Sequence, residues 1–341
     1  MTGASRSPLR VSSPVTAWRR TSRRKAFPTK RSRTSTTSSV PSTQSTPSSA
    51  RGTTRGRSSP RVACAPAVHL PIPQPYDFTL STVRFREYGS DGATVWHDGG
   101  LQRVIAGREV RIEPVGGGVR LDPGSVEAAA EVSFLLGLPF DLDAFRAWAE
   151  HEAVLADVVA RVPGFRPTLT PNRFEALVIA ITAQQVSLQA AAAIRARFVA
   201  RYGARHEVAC EFPARERVAD ATVSELRSLG FSERKAEYVV GLARSELDLE
   251  RLGTLPDADV VETLVAVRGL GRWTADWFLA RALARPAAWP AGDLGVRKAV
   301  GAFYADGRSL SIEEVRTMGE RFTPFQNLTA QHLLVGLRMA G

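Results

Sequence analysis

From Ser125 to the C-terminus, apolar residues recur at helical spacing, and glycine or proline cuts each run within a few turns. A chain patterned this way folds as many short helices packed on one another, because no single run is long enough to stand alone in water. The runs include "SVEAAAEVSFLLGL", "DLDAFRAWAEHEAVLADVVARVPG", "NRFEALVIAITAQQ", "SLQAAAAIRARFVARYG", "SERKAEYVVGLARS", "DADVVETLVAVRGLG", "WTADWFLARALARP", "DLGVRKAVGAFYA" and "PFQNLTAQHLLVGLRMAG". Ser187, Ser232 and Asp293 stand where helix N-caps are expected. Upstream the period is different. "TVWHDGGLQRVI" sets an Asp98-Gly99-Gly100 turn between two apolar runs, and "REVRIEPVGGGVRL" alternates Val110 and Ile112 with Arg111 and Glu113. The expected fold is α+β and mostly α: a small antiparallel β-sheet domain at 68–124, then an all-helical body at 125–341.

Charge separates a third region. The chain carries 45 Lys+Arg against 34 Asp+Glu, but residues 1–61 hold 14 of the bases and no acid, leaving 31 bases against 34 acids in the remainder. A body that is slightly acidic overall has little bulk attraction for polyanions, so any nucleic-acid contact must come from local geometry and a few placed cations. Residues 1–67, rich in Ser, Thr, Arg and Pro, read as a disordered basic tail. An organelle transit peptide, or a stretch upstream of a natural start such as Val68, are the other readings of that segment. Two cysteines, Cys64 and Cys210, supply neither a disulfide framework nor an iron–sulfur ligand set. No apolar run approaches the length of a membrane span, which leads to the expectation of a cytoplasmic protein, associated with the nucleoid of a prokaryote and not with a membrane.

In "LVAVRGLGRWTADWF", Leu264, Val267 and Leu270 are spaced to close one helix against the next, and glycines at 269 and 271 permit a left-handed turn and close backbone approach. This predicts a helical hairpin at about 261–285. The N–H groups that open its second helix form a site for a phosphate without needing a lysine. A plain αα-hairpin with a glycine C-cap would leave the same signature.

Together with "PYDFTLS", "ALVIAITAQQVSLQAAA", "LRSLGFSERKAEYVVGLA", "WPAGDLGVRKAV" and "ERFTPFQNLTAQHLL", the hairpin resembles the helix-hairpin-helix DNA glycosylase superfamily and, within it, the DNA-3-methyladenine glycosylase II type, over residues 72–338. The resemblance implies a monofunctional base-excision repair enzyme. Such an enzyme hydrolyses the N-glycosidic bond of alkylated purines, of the 3-methyladenine and 7-methylguanine kind, in double-stranded DNA after flipping the damaged nucleotide out. Asp293 falls at the position of the catalytic carboxylate. A fixed carboxylate there would stabilise positive charge on the sugar and orient water; the same residue also reads as the N-cap of the following helix.

Relatives that also cut the strand carry a hairpin lysine; the matching residue here is Trp273, so water is the expected nucleophile. Trp273 and Trp277, four apart, are expected to form an aromatic base pocket suited to cationic bases, although ordinary core packing would give the same spacing. Leu334 and Leu294 stand where the best-known relative has aromatics, which makes the pocket less π-rich. Gln185 matches the wedge that fills the gap left by the flipped base, with Gln184 and Ser187 readable as helix end and cap. Gly269, Gly271, Arg272, Thr274 and Arg297 are the further candidate DNA contacts. His332 reads as a packed helix residue.

No cofactor is expected beyond a monovalent cation on hairpin backbone carbonyls, and the protein is expected to act as a monomer. The competing readings are a non-catalytic helix-hairpin-helix DNA-binding module and a glycosylase for oxidised or mismatched bases.

Overall fold

The computed structural model describes residues 66–340. The basic tail lies almost wholly outside them.

Five antiparallel strands open the described chain: β1 (Val68–Pro71), β2 (Thr94–His97), β3 (Gly100–Ile105), β4 (Arg108–Val115) and β5 (Gly118–Asp122), in the order β1-β5-β4-β3-β2. His97 pairs with Gly100, so the β2–β3 turn is the two-residue Asp98-Gly99, with φ of 45° and 76° at those positions. That is the left-handed pair a tight hairpin needs. Gly100, expected in the turn, belongs to β3, where a Cβ would lie 2.6 Å from the Ile112 carbonyl oxygen. The alternation of β4 works as expected: Val110 and Ile112 are buried beside Leu101, Val119 and Leu121, and this face packs on Ala128, Val132 and Leu135 of α3 (Val126–Leu135).

Two short helices that no helical period had announced, α1 (Phe78–Ser81) and α2 (Val83–Glu87), sit between β1 and β2. Runs of four or five residues are too short to display a helical period.

The helical body follows the glycine and proline breaks in part: residues 184–187 and 220–222 separate helices without either residue, and one expected run divides. "DLDAFRAWAEHEAVLADVVARVPG" forms two helices, α4 (Leu142–Ala149) and α5 (Ala153–Arg161). Leu142, Phe145 and Ala149 keep helical spacing, but the next buried residue, Leu155, is out of phase with them, so the chain must turn for both sets to face one core.

Next come α6 (Arg173–Ala183), α7 (Leu188–Tyr202), α8 (Arg215–Ala219), α9 (Val223–Ser228), α10 (Glu233–Arg244), α11 (Asp257–Val265), α12 (Arg272–Arg281), α13 (Leu294–Tyr304), α14 (Ile312–Glu320) and α15 (Gln326–Ala340). Ser187, Ser232 and Asp293 cap α7, α10 and α13 through their side chains, as their positions implied.

The body has two apolar cores. One gathers α6, α7 and α9–α12 around Leu177, Phe198, Val239, Leu264 and Phe278. The other gathers α4, α5 and α13–α15 around Phe145, Leu155, Val300 and Leu333. Trp277 packs against both, so the middle of α12 lies at the seam between them.

Candidate active site

At the hairpin, α11 and α12 are joined by residues 266–271. Leu264 and Leu270 are buried, closing the two helices on each other. Gly269 has a φ of +94°, and a Cβ there would meet the Tyr238 ring at 2.1 Å, so the turn needs glycine for conformation and for contact. Gly271 differs. As the N-cap of α12 it is extended, with φ −105° and ψ 179°, and a Cβ would meet nothing within 4 Å. It brings no capping side chain, so the first-turn N–H groups of α12 stay open in the way an anion site requires.

Asp293 is reached from this turn through two indoles. Its Oδ1 accepts N–H bonds from Gly295 (2.8 Å) and Val296 (3.0 Å) at the start of α13. Its Oδ2 accepts from Trp273 Nε1 at 2.9 Å and Trp277 Nε1 at 3.1 Å. One oxygen is thus fixed by a helix N-terminus and the other by two side chains of the hairpin's second helix. Cap and candidate catalyst are the same group, because the cap geometry is what orients the carboxylate. The four donors are charge-assisted and hold it in a single pose.

Both tryptophans therefore present N–H edges to the carboxylate, and Trp277 also packs its ring at the seam. One face of Trp277 is covered: the Arg281 guanidinium carbon stands 4.4 Å from the ring centroid, and an Arg281 N–H reaches Gln331 Oε1 at 3.2 Å. Burial pulls Arg281 below the ordinary arginine range, opposed by Tyr88 and Asp293. Sequence reasoning passed over Arg281, although it continues the four-residue spacing of Trp273 and Trp277. Leu294 is exposed beside the carboxylate, and a Cβ on Gly295 would meet Leu334 at 3.0 Å, so both leucines border Asp293.

The other candidates divide. Gln185 is exposed, with a left-handed φ of 55°, at the tip of the turn between α6 and α7, flanked by exposed Val186 and Leu188. A non-glycine residue held in that conformation is strained, which suits a projecting side chain. Gln184, beside it, turns inward and donates from Nε2 to the Gly269 carbonyl at 3.0 Å.

Arg272 is exposed at the hairpin and donates to Asp276 Oδ1 at 2.7 Å. Burial raises the pKa of Asp276, and Arg272 opposes the rise. Thr274 is 1% exposed, so any contact from this residue is through its backbone N–H and not its hydroxyl. Arg297 is turned away from a phosphate role: its guanidinium donates to the Leu310 carbonyl, 2.9 Å from Nε, and pins the loop before α14. Both residues lie one helical turn or less from exposed positions, and sequence spacing does not say which side of a helix faces a neighbour. His332 is packed between Phe145 and Phe165, its Nδ1 2.8 Å from the Leu328 carbonyl oxygen, and burial lowers its pKa to about 4.

In the hairpin turn the Val267 carbonyl accepts from the Leu270 N–H, and the Gly269 carbonyl from Gln184. The carbonyls of Arg268 and Leu270 accept no hydrogen bond among the described residues, which leaves oxygen donors of the kind a monovalent cation takes. Among the described residues, no cluster of His, Cys, Asp and Glu could hold a metal ion.

Residues 178–324 match the family model described as HhH-GPD superfamily base excision DNA repair protein. The DNA-3-methyladenine glycosylase of Bacillus subtilis is 28% identical over 201 residues, 57% of this chain and 66% of that protein. DNA-3-methyladenine glycosylase 2 of Escherichia coli is 30% identical over 230 residues, 62% of this chain and 73% of that protein. The chain belongs to the HhH-GPD superfamily. A solved member of similar sequence, the 3-methyladenine DNA-glycosylase from Archaeoglobus fulgidus, aligns with a TM-score of 0.72 and 29% identity, covering 80% of this chain and 98% of that one. The chain spans just under two thirds of the Bacillus subtilis relative. The HhH-GPD match contains the Gln185 turn, the hairpin and Asp293 together, so the three features assembled above all lie within the superfamily's own segment.

Proposed function

We propose that this HhH-GPD protein is a monofunctional DNA glycosylase that hydrolyses the N-glycosidic bond of alkylated purines in double-stranded DNA. The observation that carries the reading is the carboxylate of Asp293, fixed by two N–H groups of α13 and two indoles of α12, one of them, Trp273, in the first turn of that helix beside its open N-terminus. The names of the Bacillus subtilis, Escherichia coli and Archaeoglobus fulgidus relatives support 3-methyladenine as the substrate class.

The chemistry follows from the geometry. A base inside a duplex is out of reach, so the nucleotide must be extruded, with Gln185 entering the gap. The open N–H groups after Gly271 and the exposed Arg272 hold phosphate next to the flipped sugar, sequence-independently. As the glycosidic bond lengthens, positive charge grows at the anomeric carbon, and a preoriented carboxylate stabilises that charge without reorganising. Asp293 then directs water to the same carbon. Position 273 offers an indole and no amine, so a covalent imine does not form there. A 3- or 7-alkylated purine carries positive charge on the ring before the bond breaks and departs neutral with the bonding pair, and the exposed part of Trp273 and the flanking leucines accept such a flat base.

The protein needs no organic cofactor on this reading. A monovalent cation on the free hairpin carbonyls would neutralise phosphate charge. It would act as a monomer, in the cytoplasm of a prokaryote, on chromosomal DNA.

A base-release assay on methylated duplex tests this. Wild type should release methylated purine and leave an intact strand until alkali is added; Asp293→Asn should lose on the order of 100-fold or more in single-turnover rate while still binding duplex. Release of no base by wild type, or an unchanged rate in the variant, contradicts the proposal.

A further inference from the structure

The turn that carries Gln185 and the turn that carries Gly269 are far apart in sequence but joined by a single side chain, that of Gln184, whose Nε2–H bond to the Gly269 carbonyl is part-buried and spans 85 positions. Both turns are also braced by the same helix. On α10, Lys235 donates from Nζ to the Thr182 carbonyl at 2.9 Å, two residues before Gln184, and Tyr238 packs its ring against Gly269. Arg195 of α7 adds a bond to Thr182 Oγ1 at 3.2 Å. The end of α6 is therefore held by two cations, where its carbonyls are most negative. Gln184 leaves that held end in extended conformation, with ψ 124°, and the chain then enters the strained, left-handed Gln185.

Gln184 has no role in the hydrolytic chemistry above. Its amide is spent on the carbonyl of the same glycine that Tyr238 clamps, Gly269. A helix end needs only water or a backbone donor to finish it, so a side chain reaching across to another turn is not explained by capping.

We propose that Gln184 is a positioning residue that sets the wedge in register with the hairpin, so that seating phosphate on the hairpin fixes how deep Gln185 enters the duplex. The inference rests on the glycosylase reading, because only an enzyme that extrudes a nucleotide has use for a wedge in fixed register. With the link intact, the two turns move as one body. Without it, Gln185 relaxes on its own toward an unstrained conformation while the hairpin and Asp293 stay as they are. The deficit should then fall on flipping and not on bond cleavage.

The test uses Gln184→Met, close in size but without a donor, on the full chain. Single-turnover release is measured from two duplexes carrying the same methylated purine, one fully paired and one with the lesion in a single-nucleotide bulge that is already extruded. In parallel, a 2-aminopurine beside the lesion reports unstacking. The expected result is a loss of roughly five- to tenfold on the paired duplex, the scale of one hydrogen bond, with a matching fall in the 2-aminopurine signal, and a rate within about twofold of wild type on the bulge. Thermal unfolding should stay near that of wild type.

Equal losses on both duplexes, an unchanged rate on the paired duplex, or a large drop in melting temperature would each overturn the proposal. Should wild type release nothing from either duplex, the glycosylase reading itself fails. Should wild type be active and Gln184→Met indistinguishable from it, only the linkage fails.

Discussion

At the scale of single residues, Trp273 and Trp277 have two separable properties, a ring that packs and an N–H that points at Asp293 Oδ2. Phenylalanine keeps the first and removes the second. For Trp277→Phe the Arg281 guanidinium retains a ring to cover, so packing is preserved while one donor to the carboxylate is lost. A hydrogen bond to a charged group contributes about 1.5–3 kcal/mol, and a carboxylate oxygen missing one of two donors can swing away from the reacting carbon. The single-turnover rate of either Phe variant should fall about tenfold or more, with the double variant lower still and affinity for duplex DNA within about twofold of wild type. If the indoles act by stacking alone, both Phe variants will release base at nearly the wild-type rate and only Leu variants will be slow.

At the scale of the element, the hairpin assigns different work to two glycines that look alike in sequence. Gly269 is left-handed and pressed on Tyr238; Gly271 is extended and open. Gly269→Ala should therefore cost about 2 kcal/mol or more in urea unfolding, from backbone strain and overpacking together. Gly271→Ala should cost within about 1 kcal/mol, the difference between glycine and alanine at an N-cap, yet weaken binding to undamaged duplex because its methyl stands where phosphate approaches. A Gly271→Ala protein that binds as wild type would place the phosphate elsewhere. The same contrast shows what the sequence disclosed. The hairpin, the β2–β3 turn, apart from Gly100, and the caps at Ser187, Ser232 and Asp293 are local, set by residues a few positions apart, and were readable. The direction of a side chain across the fold was not. Arg297 carries the same charge whether it faces phosphate or the Leu310 carbonyl, and Thr274 is polar whether buried or exposed. The indole bonds to Asp293 depend on α12 and α13 meeting at the seam between two cores, which no spacing within one helix encodes. The helices α1, α2 and α8 were missed because, at four or five residues, they are too short to repeat the helical period.

At the scale of the whole molecule, the sheet is held to α6, the helix that leads into the Gln185 turn, by a buried ion cluster. Arg103 of β3 donates to Glu175 of α6 from both terminal nitrogens, at 2.7 Å and 3.2 Å, to Glu131 of α3 at 2.6 Å and to Thr94 of β2 at 2.8 Å. The side chains of Arg103 and Glu175 are each 5% exposed. Burial works against the charge on Arg103, and Glu175 and Glu131 more than offset it, so the guanidinium is raised above its ordinary range and stays charged. Removing one ion from such a group leaves the other desolvated and unpaired, a loss of about 3–5 kcal/mol, whereas removing both with apolar residues of similar volume is often neutral. Arg103→Met should thus lower the unfolding free energy by that amount, and Arg103→Met with Glu175→Met should recover most of it, since Glu131, 27% exposed, can turn to water. Because Glu175 lies near the start of α6 and Gln184 follows its end, the single variant should also lose flipping on paired duplex at temperatures where the fold persists, and the double variant should regain it. A double variant no more stable than the single one would mean that the cluster contributes net stability through its polar bonds, and that the sheet is fixed to the helical body by charge and not by the apolar packing around it.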